Sequence, residues 1–365
     1  MVFDIISTQG QMSGERSMAI LDEYQEHCRI LAENGDPLSG ISLLINQFDL
    51  ISRSDVYHYT DINGFISIMQ KRELWASHIA FMNDKSEYLH GKELFQRQLR
   101  GKMASVQGRE GEFLRQVIKG LDNELSDGFF TASSKDVFSL SFSHARDSLE
   151  MWRGYGKNSG IAIGFSHSKC ASLPGMCLIR REMYERLLAQ YKGNARQVYP
   201  KYEQGFIPWR VLYDDEKKVE LVDSTIELGL SCFRNQSKAN RKRGYVVGIQ
   251  FLLDMIFYLI PFFKHRGFSG EEECRIVEHF VKTEGDHKCD IQFHERGGIA
   301  LPFIRYKMMD KYCRPLEQMP IHEIVVGPGV KQDKVIESVK YFLERNEMAY
   351  LAEKVRASNI PYIQT

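Results

Sequence analysis

The chain has 365 residues, 43% apolar and 26% charged, with 48 Lys and Arg set against 48 Asp and Glu. That length can bury a substantial core as one large domain or two ordinary ones, and the composition is that of a soluble globular protein. Zero net charge excludes capture of nucleic acid by the chain as a whole and leaves only a local patch for it. The seven cysteines are scattered, odd in number and form no Cys-x-x-Cys pair, which argues against a disulfide framework and a zinc site. A reducing cytoplasm fits them best.

In chain order, Asp4 and the lack of a long apolar run speak against a secretory signal at the N-terminus. Residues 15–50 carry Met18, Ile20, Leu21, Tyr24, Cys28 and Leu31 at helical spacing, then Leu43, Leu44 and Phe48 after a Gly-Asp-Pro break. This reads as an N-terminal helical extension over 1–54. Val56–Thr60 is a short strand of β-branched and aromatic residues, and Asp61 caps a helix over Ile62–Lys71. Glu73–Ser77 is a strand, Asn83-Asp84 a turn, and Lys85–Leu125 mostly amphipathic helix. Val137–Ser143 alternates so that Ser139, Ser141 and Ser143 share one strand face. A short helix over Ser148–Tyr155, a buried strand over Gly160–Phe165 and a polar helix over Met183–Tyr202 follow.

Val211–Tyr213 reads as a strand and Val219–Phe233 as helix. The run Tyr245–Phe263 is apolar enough to suggest a membrane span, which needs roughly 20 such residues. Asp254 inside it would cost about 2.5–3.5 kcal/mol on insertion, so a buried core helix is expected and no membrane partner. Strands at Cys274–Phe280, Ala300–Tyr306 and Ile321–Val326 precede a closing helix over Asp333–Arg345 and a tail over 346–365. Strands parted by helical insertions without regular βαβ spacing predict an α+β domain over 55–345 with a mixed, split β-sheet.

The segments that end strands with polar or aromatic residues carry the functional reading. They are Tyr57-His58-Tyr59-Thr60, Asn83-Asp84 with Glu87, Ser141-Phe-Ser143, Met151-Trp152-x-x-Tyr155, Gly160–Phe165, Val211-x-Tyr213, Lys264, Glu271-x-Glu273-x-Arg275 and Ile321–Gly327. Together they resemble a widespread bacterial domain family of uncharacterised function, over about residues 55–330. In their order they also resemble ADP-ribosyltransferases of the His-Tyr-Glu type: a strand ending in His, a helix carrying a Tyr, a strand bearing Glu. That second likeness is an analogy of fold.

The resemblance implies an ADP-ribosyltransferase-like fold that uses NAD as co-substrate, with no metal, to modify a nucleic acid or a protein as a toxin or phage-defence effector. It implies catalytic roles for Glu273, with Glu271 second because it alternates onto the same strand face, and for His58 and Tyr155, with His58, Tyr155 and Glu273 lining one pocket. It implies cofactor contacts from His58, Tyr59, Thr60, Ser141, Ser143, Trp152, Tyr155 and Arg275. The chemistry suits these residue types. Cleavage of the nicotinamide–ribose bond passes through an oxocarbenium-like state, which a carboxylate stabilises, and a tyrosine ring stacks on the flat leaving group.

Blander readings stand beside it. The acids can be paired with Arg275, Lys264 or Arg266, His58 can be structural, and Tyr155 can be a core aromatic beside Trp152. Ser237–Arg243 is either a solvated surface or a contact for nucleic acid phosphates. An inactive nucleotide-sensing or protein-interaction module of the same fold is the alternative function, and a metal-dependent hydrolase built on the acidic motif is a third.

Overall fold

The computed structural model describes residues 25–81, 86–126, 135–155, 160–171, 175–181, 184–185, 204–281, 291–296, 298–310 and 314–361. Its principal helices are α1 (Pro37–Gln47), α2 (Ile62–Lys71), α3 (Ser86–Ser105), α4 (Gly108–Ser126), α5 (Leu149–Tyr155), α6 (Asp215–Ala239), α7 (Arg241–Leu259) and α8 (Gln332–Arg345). The strands are β1 (Val56–Thr60), β2 (Glu73–His78), β3 (Lys135–Ser143), β4 (Ile161–Phe165), β5 (Cys177–Arg180), β6 (Gln204–Gly205), β7 (Trp209–Arg210), β8 (Glu273–Val281), β9 (Gln292–Arg296), β10 (Ile299–Met309), β11 (Ile321–Val326) and β12 (Val355–Ala357).

Local chemistry sets several boundaries. Asp61 accepts the Gly64 amide at 2.7 Å to start α2, which stops where Arg72 turns left-handed and its N–H closes on Ile68. Asp36 and Pro37 start α1 in the same manner, and Asp214 accepts the Lys217 amide to start α6. The amphipathic stretch expected over Lys85–Leu125 is two helices, parted before Gly108, whose φ of +65° suits glycine.

All twelve strands belong to one sheet, in the order β12-β11-β4-β1-β3-β2-β10-β5-β6, with β8 beside β3, β7 beside β8 and β9 beside β10. Only β11 and β12 pair in parallel, so the protein is α+β with a mixed, open sheet, and β1, β3, β4 and β8 lie together in it. The split is at β3. Its nine residues pair with β8 along one edge. The other edge must therefore serve both β1, through Tyr57 opposite Ser143, and β2, through Ser77 opposite Ser139 and His78 opposite Phe138. The two wings part near Ser141.

Strand alternation then assigns the faces. Val56, Phe138, Leu140, Phe142, Ile163, Cys274, Ile276 and Ile304 enter one apolar cluster, with Phe65 and Met69 of α2 and Leu343 of α8. Residues of both wings enter it, so the sheet bends around this core. The opposite face carries a second cluster built from α1, α3, α4, α6 and α7, and a small third one of Tyr57, Tyr59, Met151, Trp152, Ala162 and Val325.

The described helices before residue 54 pack into the large helical core with α6 and α7. Two expectations need correction. The tail expected over 346–365 contributes Met348, Leu351 and Val355 to the core and β12 to the sheet. The strand expected at Val211–Tyr213 pairs two residues earlier, at Trp209 and Arg210 against Arg275 and Cys274. Gly244–Phe262 has the length and apolarity of a membrane span, yet Phe251, Leu252, Met255, Ile256 and Leu259 are packed among the other helices. Asp254 is met by the Gln250 side chain at 2.8 Å. The helix expected at Met183–Tyr202, apart from 184–185, lies outside the described residues, as do Asn83 and Asp84.

Phe142 is the test of the bent sheet, because its ring meets Phe165 of one wing and Phe206 near the other. Replacement by Ala should cost about 3–5 kcal/mol in denaturant unfolding, the usual loss for a buried phenylalanine. A loss under about 1 kcal/mol would show that the cluster does not join the wings.

Candidate functional site

The site is built where β8 begins. Helix α7 ends in a short turn over Ile260–Phe262, and the chain returns beside residues 209–213: the Leu212 amide donates to Phe262 and the Lys264 amide to Leu212. This places Lys264 under the start of β8. The Tyr213 hydroxyl accepts the Glu273 amide at 2.9 Å.

Glu273, with its side chain 3% exposed, is clamped at both oxygens. Arg275 Nε donates to Oε1 and Nη2 to Oε2, each at 2.7 Å, and Lys264 Nζ donates to Oε2 at 2.9 Å. Arg275 Nη1 is bound in turn to the Pro261 carbonyl at 2.6 Å. Burial alone would raise the Glu273 pKa, but Arg275 and then Lys264 outweigh it and hold the carboxyl at about 2.

Glu271 occupies a different environment. Its side chain is 17% exposed, and Lys264 Nζ lies 2.6 Å from Oε2. It does not share a strand face with Glu273 by alternation, as the sequence suggested. It closes a 3-10 turn over Arg266–Glu271, and Glu272 between the two acids is left-handed at φ +43°. The turn is fastened to β3, where the Ser143 hydroxyl donates to the Glu271 carbonyl at 2.7 Å and the His144 amide to that of Glu272 at 3.0 Å. Helix α5 packs beside this turn, and Tyr155 at its end lies near enough to both acids to feel their charge. Burial first, then the charges of Glu273 and Glu271, push its phenol up to about 12, so it stays protonated at neutral pH.

The predicted residues divide by face. Tyr57 opposes Ser143 and Ser143 opposes Glu273, so all three point the same way, with Ser141, Arg275, Tyr59, Trp152 and Tyr155. His58 and Thr60 project from the other face. The His58 ring meets Phe142 edge-on at 5.7 Å, and the Thr60 hydroxyl lies against Gly64 of α2. This corrects the expectation that His58, Tyr155 and Glu273 line one pocket. The cause is strand parity: Tyr59, one residue on, occupies the side that His58 was expected to reach.

His58 bridges the split instead. Its Nδ1 lies 3.0 Å from the Ser141 carbonyl, which can only accept, so Nδ1 carries the proton. Burial lowers its pKa against that bond, keeping the ring neutral at neutral pH.

Other predicted contacts are committed inside the protein. Ser143 serves the Glu271 turn and accepts the Ala145 amide. Arg275 serves Glu273. The Tyr59 hydroxyl donates to Ala145 and accepts from the Ser148 amide, while its ring meets Trp152 edge-on at 4.7 Å. Ser141 keeps a buried hydroxyl without a hydrogen-bond partner, as does Ser139 two residues away. Tyr213, named in the sequence only within the Val211-x-Tyr213 motif, anchors the start of β8 through its hydroxyl; unforeseen was Asp147, which accepts the Trp152 indole N–H at 2.6 Å. An aspartate five residues before the tryptophan was the available signal for it. Among the described residues no group of three or more His, Cys, Asp or Glu side chains is placed to hold a metal.

The Glu273 clamp predicts a specific pH dependence. A pKa depressed from 4.5 to about 2 contributes stability that is fully present above about pH 4.5 and lost as the pH falls toward about 2. Glu273→Gln takes the carboxylate from between buried Arg275 and Lys264, leaving Lys264 only its pairing with Glu271, so it should lower stability by about 3–5 kcal/mol near pH 6. It should also flatten the loss between pH 4.5 and 2. A variant as stable as wild type near pH 6 would contradict the clamp.

Comparison with known proteins adds a partial assignment. No curated protein and no solved structure matches the chain. Residues 151–276, which run from α5 through the acid pair and leave out His58 and Thr60, match the model of a family described as a protein of unknown function (DUF2971).

Proposed function

We propose that this chain is an NAD-consuming ADP-ribosyltransferase in which Glu271, rather than Glu273, is the working carboxylate. The observation that carries the reading is that α5, with Tyr155 at its end, packs beside an acid pair of which one member is clamped and the other borders solvent. In this reading the Tyr155 ring stacks on the nicotinamide. The C1′–N bond of the ribose breaks, its electron pair passes to the nicotinamide nitrogen, and the Glu271 carboxylate stabilises the positive charge left on the sugar. An acceptor nucleophile on a nucleic acid or a protein then bonds C1′ and releases its proton. Lys264 and Ser143 hold Glu271 in place, and Glu273 holds Lys264.

Full engagement of both Glu273 oxygens favours a second reading, an inactive nucleotide-binding module in which the cluster is purely architectural.

Incubation with NAD labelled in the adenylate, with cell lysate as acceptor source, separates the two. Transfer should place label on macromolecules and release nicotinamide. Glu271→Gln should lose about 10²–10³ in rate, with NAD affinity and thermal stability close to wild type, because the interaction strengthens only as charge develops. Tyr155→Ala should weaken NAD binding. Binding without nicotinamide release would select the inactive module. Absence of both binding and release would overturn the NAD reading.

A further inference from the structure

Helix α5, which carries Tyr155, is short and is held from outside by one carboxylate. Asp147 Oδ1 accepts the Trp152 indole N–H at 2.6 Å and the Ser358 hydroxyl at 2.6 Å, while Oδ2 accepts the Asn359 amide at 2.9 Å. The segment after β12 is thus bound to the turn that launches α5. Residue 358 is fixed on its other sides as well. Its amide donates to the Val326 carbonyl at 2.8 Å, and the Gln332 side chain donates to its carbonyl at 3.3 Å and to those of Val326 and Gly327. Ile360 packs with Tyr155 against the cluster that contains Trp152 and Tyr59. Gly327 completes the seat: a Cβ there would stand 2.8 Å from Trp152 Cε3, so glycine lets the indole lie against the end of β11.

We propose that Asp147 is a positioning residue that couples the docked segment 358–360 to α5 and so sets where Tyr155 stands relative to Glu271; its consequence for catalysis rests on the NAD reading above. Three hydrogen bonds to one carboxylate are charge-assisted and directional; two of them join the C-terminal segment to the α5 turn and the third joins that turn to Trp152. The Ser358 hydroxyl donates to Asp147 and accepts the Ile360 amide at 3.2 Å, so its removal can reach the aromatic helix through the carboxylate or through the packing of Ile360. The two routes are separable, because only the first requires the carboxylate.

The test uses full-length protein labelled with 5-fluorotryptophan, in which the ¹⁹F resonance lost in Trp152→Phe identifies Trp152. Ser358→Ala should shift that resonance and leave those of Trp75 and Trp209 in place. Asp147→Asn should shift it further, and adding Ser358→Ala to Asp147→Asn should change nothing more, the non-additivity expected of residues in one network. In NAD turnover, Asp147→Asn and Ser358→Ala should raise KM several-fold with kcat little changed, since stacking by Tyr155 acts in the ground state too. A Trp152 resonance unmoved by Ser358→Ala, or additive shifts in the double variant, would overturn the coupling. If the resonances behave as expected in a protein that does not use NAD, the coupling stands and the proposed activity falls.

Discussion

Glu273, buried between an arginine and a lysine, is the constraint on which the site depends. Removing a carboxylate and two cations from water costs several kcal/mol for each ion, and that cost is offset only if every partner arrives in place. The requirement therefore fixes more than one side chain. It holds Arg275 against the Pro261 carbonyl, and so ties the end of α7 to β8. It also holds Lys264 beside residues 209–213 and leaves that ammonium aimed at Glu271. A buried ion cluster of this kind is weak evidence for stability relative to an apolar core, but it is an effective way of specifying one arrangement of four chain segments.

The cluster divides labour between two acids that look equivalent in the sequence. One neutralises buried cations and stays ionised far below neutral pH. The other shares Lys264 and remains at the surface of the fold, on a turn held by Ser143 and stopped by a left-handed residue. Tyr155 reports both charges through its raised pKa. On the reverse face, a neutral His58 closes the fork between the wings by holding the Ser141 carbonyl, which explains a histidine at that position without assigning it chemistry.

Much of the fold was legible because it follows from period and punctuation. Asp61 before an apolar helix, the alternation over Val137–Ser143 and the apolar runs at Ile161–Phe165 and Ile321–Val326 have the structures their patterns imply. The short strand at Val355–Ala357 was not, since three residues carry no period and pair only because β11 offers an edge. In the site, the association of Tyr155 with the acidic motif could be anticipated from motif order. The side to which His58 points could not, because face depends on the register between β1, β3 and β8, set by long-range pairing that no local pattern encodes. The partial exposure of Glu271 was hidden for a related reason: strand alternation does not carry across Glu272, where the backbone is left-handed.

The central claim is that the face bearing Tyr155 and Glu271 receives the nicotinamide end of NAD. Saturation-transfer NMR on the full-length protein with NAD tests this most directly, because it reports which protons of the ligand touch the protein and requires no turnover. The account predicts the strongest transfer at the nicotinamide ring protons, lost in Tyr155→Ala and retained in His58→Ala. Transfer confined to the adenine protons, or nicotinamide signals indifferent to Tyr155→Ala, would contradict it.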